Sequence, residues 1–213
     1  MLFRSALNPR GRVALPSPMA PVYGRCMTSL LGLSGSLRAP SFNTALLRAA
    51  QGLALPGLTL EVATLHGIPL YDGDVERSEG TPPAVLALKQ RVLAHRGLLL
   101  VTPEYNNGIP GVFKNAIDWL SRPTPGLPDV FKDRPVGLIG ASPGGFGTIL
   151  SQAHWLPVLR ALGLRHWSSG RLLVSRANAA FAADGTLQDE AVRQQLSDFL
   201  QGFAAFVDAV APA

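Results

Sequence analysis

Six side chains with charged or hydrogen-bonding heads are crowded into one short stretch: Ser34, Ser36, Arg38, Ser41, Asn43 and Thr44. Five are small hydroxyls or an amide, and one is a guanidinium. They follow an apolar run, SLLGL at residues 29–33, and open a helical pattern that starts at Asn43. A helix N-terminus presents free main-chain N–H groups and the positive end of its dipole, so this stretch is suited to hold an anion. The hydroxyls add neutral donors, and Arg38 adds a charge-assisted bond. Neither GxxxxGK nor GxGxxG occurs here, so the stretch is not a Walker loop or a dinucleotide fingerprint. A terminal monophosphate fits better than a pyrophosphate, which needs glycines for close approach. The competing reading is an ordinary capped turn, with Ser41 or Asn43 serving only as the N-cap.

Two further stretches carry chemistry. Pro103-Glu104-Tyr105-Asn106-Asn107-Gly108 follows the apolar run GLLLVT at residues 97–102. It can offer main-chain N–H groups and the Tyr105 ring to a flat heterocycle, because aromatic faces favour offset stacking. Glu104 suits a ring edge, a salt bridge or a solvated position. Lys114 and Asp118 are four apart on one helical face and are expected to pair there, while Trp119 reads as core or interface. The third stretch, Gly140-Ala141-Ser142-Pro143-Gly144-Gly145-Phe146-Gly147, contains GxSxG and so raises a serine hydrolase. Pro143, directly after that serine, has no N–H to offer an oxyanion. Both downstream histidines, His154 and His166, also precede the first downstream carboxylate, Asp184, which is the wrong order for that fold. The hydrolase is therefore set aside, and Gly144 and Gly145 are read as letting main chain approach a planar ligand. His66, His95, His154 and His166 have no ligand-like spacing, and Cys26 is the only cysteine, so neither a metal site nor a disulfide framework is expected.

The elements that must position these stretches alternate in type. Strands are expected at Ser29–Leu33, Leu58–Leu65, Gly97–Thr102, Pro135–Gly140 and Arg171–Ser175. Helices are expected at Asn43–Leu53, Pro82–Ala94, Ile109–Leu120, Thr148–Leu162 (perturbed by Pro157) and Leu187–Val210, the last with Thr186 and Asp189 as a variant capping box. A long loop holding Pro69, Asp72, Gly73 and Gly80 separates the second strand from the second helix. Strand–helix alternation over five units gives an α/β fold, a parallel sheet covered on both faces. Ligands in such sheets bind at the carboxyl ends of the strands, and the three stretches above follow strands one, three and four.

Composition limits the alternatives. The chain has 213 residues, 47% apolar and 15% charged, which excludes a disordered protein. It contains no internal repeat, and no apolar run is long enough to cross a membrane. The net charge of +5 invites a nucleic-acid reading, but its distribution argues otherwise. Four of the 19 basic residues (Arg4, Arg10, Arg12 and Arg25) and none of the 14 acidic ones precede Met27, leaving a body near +1. A nearly neutral body lacks the concentrated basic surface that supplies affinity for phosphate backbones. Residues 1–26 carry Pro9, Pro16, Pro18 and Pro21 and are expected to be a disordered basic extension. Met27 is a plausible native start, and residues 27–213 form a single domain.

Taken together, GSLRAPSFNTALL (35–47), PLYDGDVE (69–76), PEYNNGIPGVFKNAIDW (103–119) and SPGGFGT (142–148) resemble the NADPH-dependent FMN reductase family of flavodoxin-like proteins. The resemblance covers about residues 28–207. It implies a doubly wound five-stranded sheet in the order 2-1-3-4-5. Ser36, Arg38, Ser41, Asn43 and Thr44 would form the FMN phosphate loop, with Pro103, Glu104, Tyr105 and Asn106 lining the isoalloxazine. Ser142, Gly144, Gly145 and Phe146 would lie at the far side of the ring, and Tyr71 and Asp72 near the subunit interface and substrate opening. It also implies hydride transfer from NADPH or NADH to FMN, onward reduction of a small acceptor such as a quinone, azo compound, chromate or free flavin, a homodimer or homotetramer, and a cytoplasmic location. The stretch His154–Arg160 departs from the family pattern, because Pro157 interrupts its helix. The alternatives are a flavodoxin-like FMN electron carrier without nicotinamide turnover and a non-catalytic binding protein.

Overall fold

The computed structural model describes residues 27–210, and the extension expected over 1–26 lies outside them. The strands are β1 (Thr28–Ser34), β2 (Leu58–Ala63), β3 (Gly97–Val101), β4 (Pro135–Ala141), β5 (Arg165–His166) and β6 (Leu172–Val174). The helices are α1 (Phe42–Gly52), α2 (Gly73–Glu79), α3 (Pro83–Leu93), α4 (Gly111–Ser121), α5 (Ile149–Ala161), α6 (Ala177–Ala180) and α7 (Glu190–Val210). Every strand pairing is parallel, and the sheet runs β2-β1-β3-β4-β5, with β6 also on β4.

The near-continuous apolar runs are explained by the pleat. Successive side chains of a strand point to opposite faces, so a strand covered on both sides must be apolar at every position. Leu31 and Leu33, Leu98 and Leu100, and Val136 and Leu138 enter one core with α3, α4 and α5. Leu30, Leu99 and Val101, and Ile139 and Ala141 enter the other, with α1 and α7. β1 has β2 on one side and β3 on the other, and their connections lie on opposite faces. The crevice beyond the carboxyl ends of β1 and β3 is therefore the switch point where ligands bind.

The expected order holds, but the fifth position differs from the expectation of one strand. β5 pairs with Pro135 and Val136 at the start of β4, and β6 pairs with Ile139 to Ala141 at its end. Between them Trp167 packs on Phe199, with ring centroids 4.9 Å apart. The chain bulges around this indole instead of continuing the ladder. Pro157 does not break α5, which runs on through it. The proline removes one donor near a solvent-facing stretch where Leu156 is 46% exposed. Two short helices were not expected. α2 starts inside the long loop, where Asp72 accepts the Asp74 N–H at 2.8 Å and so caps it, and α6 follows β6. The expected capping box is replaced by Asp189 alone, which accepts the Val192 N–H at 3.1 Å, while the Thr186 N–H goes to Asp184. Among the described residues no helix is long and apolar enough to cross a membrane.

His166, at the end of β5, is half-buried, and burial lowers its pKa because desolvation disfavours the charged ring. A folded-state value below the unfolded one means that the unfolded chain binds more protons between the two. Stability should therefore fall as pH drops through about 6.5 towards the folded value. Thermal melts between about pH 7 and pH 5 should show a shallower loss for His166→Gln than for the parent chain. Identical slopes would show that the ring does not titrate across this range.

Candidate functional site

The first loop is fastened at both ends by side chains. The Ser41 hydroxyl caps α1 by accepting the Thr44 N–H at 3.3 Å. The Thr44 and Ser34 hydroxyls share a buried bond of 2.7 Å, which joins the first turn of α1 to the end of β1. Asn43 is 4% exposed and reaches β4. Its Nδ2 donates to the Ala141 carbonyl and its Oδ1 accepts the Ala141 N–H, both at 2.9 Å. The Asn43 amide is thus a clamp between strand ends. Gly35 follows β1 where any Cβ would sit 2.2 Å from the Phe113 ring, so only glycine fits against α4.

What remains for a ligand is main chain and one cation. Among the described residues the N–H groups of Ser36, Leu37, Ala39, Phe42 and Asn43 find no acceptor, whereas the Arg38 N–H takes the Ser36 hydroxyl at 3.2 Å. Arg38 is exposed and makes no ion pair among the described residues. A cluster of unused donors at a helix start, with a free guanidinium beside it, matches the chemistry of a phosphomonoester.

The second loop makes a tight turn. Tyr105 and Gly108 exchange two main-chain bonds, 3.2 and 2.9 Å, around Asn106 and Asn107. Both asparagines have positive φ, 49° and 63°, the signature of a two-residue turn that asparagine tolerates better than other side chains. Tyr105 is left 43% exposed. Glu104 neither forms a salt bridge nor points into solvent. Its Oε2 accepts the Leu150 and Ser151 N–H groups at 2.9 and 3.0 Å, capping α5, whose Thr148 makes no side-chain cap. Beneath it lies a polar hub with no exposed surface: Thr102 donates to the Pro103 carbonyl at 2.9 Å and accepts from Ser151 at 2.9 Å and the Trp155 indole at 3.1 Å.

The third loop is closed by Ser142, whose hydroxyl donates to the Gly147 carbonyl at 2.6 Å. That bond, together with Pro143, explains GxSxG without a nucleophile. Gly140 is equally structural, since a Cβ there would lie 2.2 Å from the Thr148 hydroxyl. Phe146 stands 83% exposed. The loop after β2 is tied to α4: the Tyr71 N–H donates to Asn115 Oδ1 at 2.8 Å, and its ring stands edge-on to Trp119 at 4.9 Å. The Tyr71 hydroxyl donates to Glu76 at 2.9 Å. The Arg122 guanidinium beside Glu76 holds that carboxyl below the usual range, and the bond to Glu76 raises the Tyr71 phenol. Lys114 pairs with Asp118 at 2.7 Å on α4, as the spacing predicts.

Thus β1, β3 and β4 bring the three predicted loops to one edge. Thr102, Ser151 and Trp155, together with the capping role of Glu104, were missed in the sequence. Glu104 and Ser151 are 47 residues apart, and no local pattern connects them.

Comparison with known proteins points the same way. The NADPH-dependent FMN reductase family model matches residues 28–179. The chain is 43% identical over 178 residues to an NAD(P)H-dependent FMN reductase of Pseudomonas aeruginosa, covering 84% of this chain and 94% of that one. It is 35% identical over 173 residues to a 2-hydroxy-1,4-benzoquinone reductase of Burkholderia sp, covering 81% and 92%. Among solved structures it is similar to FerB, a flavoenzyme NAD(P)H:(acceptor) oxidoreductase of Paracoccus denitrificans. That match has a TM-score of 0.77 and 32% identity, and covers 87% of this chain and all of FerB.

Replacing Asn43 with alanine would strand the buried Ala141 N–H and carbonyl, at about 1–3 kcal/mol for each unsatisfied group. Asn43→Ala should therefore lower the melting temperature by several degrees, roughly 2–4 °C per kcal/mol in a domain of this size. A melt within one degree of the parent would show that the clamp is dispensable.

Proposed function

The chain belongs to the NADPH-dependent FMN reductase family, and we propose that its three loops hold FMN at the crevice between β1 and β3. It is an NAD(P)H-dependent FMN reductase, an oxidoreductase that passes electrons to a small-molecule acceptor. FMN, when bound, would supply the redox chemistry, hydride acceptance from the nicotinamide and electron delivery to the acceptor. The observation that carries the site assignment is the set of N–H groups at Ser36, Leu37, Ala39, Phe42 and Asn43 that find no acceptor among the described residues, beside Arg38, which makes no ion pair among them.

The chain's own residues bind, orient and shield. Main-chain donors and Arg38 take the phosphate, while Ser41 and Thr44 hold the loop in shape. Pro103, Tyr105 and Asn106 lie along one side of the ring, and Gly144, Gly145 and Phe146 along the other. Glu104 ties the second loop to the first turn of α5, and Ser142 closes the third loop on Gly147 just before it. No acid–base side chain is needed for hydride transfer, so the lack of a triad is consistent with this reading. A quinone is the favoured acceptor class, because the similar proteins include a 2-hydroxy-1,4-benzoquinone reductase and the exposed Tyr105 and Phe146 offer aromatic surface to a flat substrate.

The same exposed side chains support self-association. Phe146, Ile149, Leu150 and Leu156 expose apolar side chains from the third loop to the middle of α5, the kind of surface that marks protein–protein contacts. A homodimer burying this face places a second copy at the mouth of the flavin site, and a homotetramer repeats the arrangement.

Arg38→Ala should weaken FMN binding about 10-fold to 100-fold, read by quenching of flavin fluorescence, with the fold unchanged by circular dichroism. Full affinity would place Arg38 outside the site. Anaerobic mixing of FMN-loaded protein with NADPH should bleach the flavin absorbance, whereas a persistent oxidised spectrum is the behaviour of an electron carrier. Leu156→Glu should shift the light-scattering mass towards the monomer, and an unchanged mass would remove α5 from the interface.

A further inference from the structure

From the anion loop runs a groove that shares Arg38, Ser41 and Thr44 with the flavin reading and continues beyond them. A cavity of about 760 Å³ runs between the outer face of α1 and the segment after α6. Arg38, Phe42 and Arg48 line one wall, and Phe181 and Asp184 line the other. A second cavity of about 320 Å³ shares Ala45, Arg48, Asp184 and Gly185 with the first and extends it to Gly52 and Arg193. The two form one groove along the length of α1. Its near end meets the flavin loops at Arg38 and at Pro143, between Ser142 and Gly144.

Its chemistry is mixed in an informative way. Arg48 follows Thr44 by one helical turn, so both lie on the groove side of α1. Arg48 is exposed and makes no ion pair among the described residues. The Phe42 and Phe181 rings pack at 5.8 Å with a 33° tilt; Phe181 is buried, and Phe42 stays partly open as an aromatic surface. Across from Arg48, one oxygen of Asp184 accepts the Thr186 N–H at 2.9 Å. Hydrogen bonds from Thr186 hold the carboxyl below its usual range, so it stands on the groove wall as an anion that can accept. In other folds an ionised acid that accepts from the ribose hydroxyls reads NAD, and an arginine that takes the 2′-phosphate reads NADP; this groove carries one of each.

We propose that this groove holds the adenosine end of the nicotinamide dinucleotide, with Arg48 on the 2′-phosphate of NADPH, Asp184 on the vicinal ribose hydroxyls of NADH and Phe42 against the adenine. The inference rests on the reductase reading and adds to it the part of the chain that distinguishes NADPH from NADH. Neither Arg48 nor Asp184 belongs to the FMN loops, so their replacement separates the two ideas.

The test uses the full chain loaded with FMN. Arg48→Ala should raise the KM for NADPH about 10-fold to 100-fold, with kcat, the KM for NADH and FMN affinity unchanged. Adenosine 2′,5′-bisphosphate should compete with NADPH on the parent enzyme and lose potency on this variant, while adenosine 5′-monophosphate should compete equally on both. Asp184→Asn keeps the acceptor for Thr186 and should raise the KM for NADH without weakening NADPH. An unchanged KM for NADPH in Arg48→Ala, or no competition by the bisphosphate, would overturn the groove assignment while leaving FMN binding and turnover intact. Loss of FMN binding in the parent chain would instead overturn the reductase reading itself.

Discussion

A parallel sheet leaves the last main-chain groups of its strands without ladder partners at one edge, and in this protein every functional loop starts there. Buried N–H and C=O groups must be paired. At this edge side chains and loop backbone supply the partners. Asn43 satisfies both polar groups of Ala141, Thr102 gathers Pro103, Ser151 and Trp155, and Ser142 closes on Gly147. These ties also fix the loops relative to one another. The Asn43 clamp sets the first loop against the third, and Glu104 sets the second against α5. The ligand-facing main chain can stay unsatisfied because the groups behind it are not.

This division explains the composition of the site. Donors offered to the ligand are mostly main-chain N–H groups, which any residue carries. The conspicuous polar side chains serve mainly as fasteners: of the five residues read as a phosphate loop, Ser41, Asn43 and Thr44 have their side-chain heads turned to the protein. Among the described residues only Arg38 stays free. A neutral set of N–H groups with one guanidinium suits a phosphomonoester without the strong positive field that would also attract polyanions.

The fold was legible because its signals are local. Near-continuous apolar runs marked β1, β3 and β4, and helical stripes marked α1, α4 and α7. The location of the three loops was legible for the same reason, since each follows a recognisable strand. The role of Glu104 was not, because its partners are the N–H groups of Leu150 and Ser151, far along the chain. The split of the fifth strand was hidden as well. It depends on where the Trp167 indole lodges: a Cβ at Gly170 would come within 2.4 Å of the indole and one at Gly202 within 2.7 Å, so both glycines are needed for the packing. The Pro157 expectation erred differently. It applied a sound local rule to a site where the lost donor costs little.

Rigid fastening and open presentation occupy different residues, and this separates what can vary from what cannot. A substitution at Asn43, Thr102 or Ser151 disturbs buried groups and moves a loop. A substitution at Tyr105, Phe146 or Leu150 changes only an exposed surface. The loop frame fixes where a flat ring lies, and the exposed residues and whatever covers them decide what may approach it. Under the proposed site, the choice of acceptor lies with the second group and retention of the cofactor with the first. Related chains can share one frame and reduce different small molecules, because the residues that discriminate carry almost none of the fold's stability.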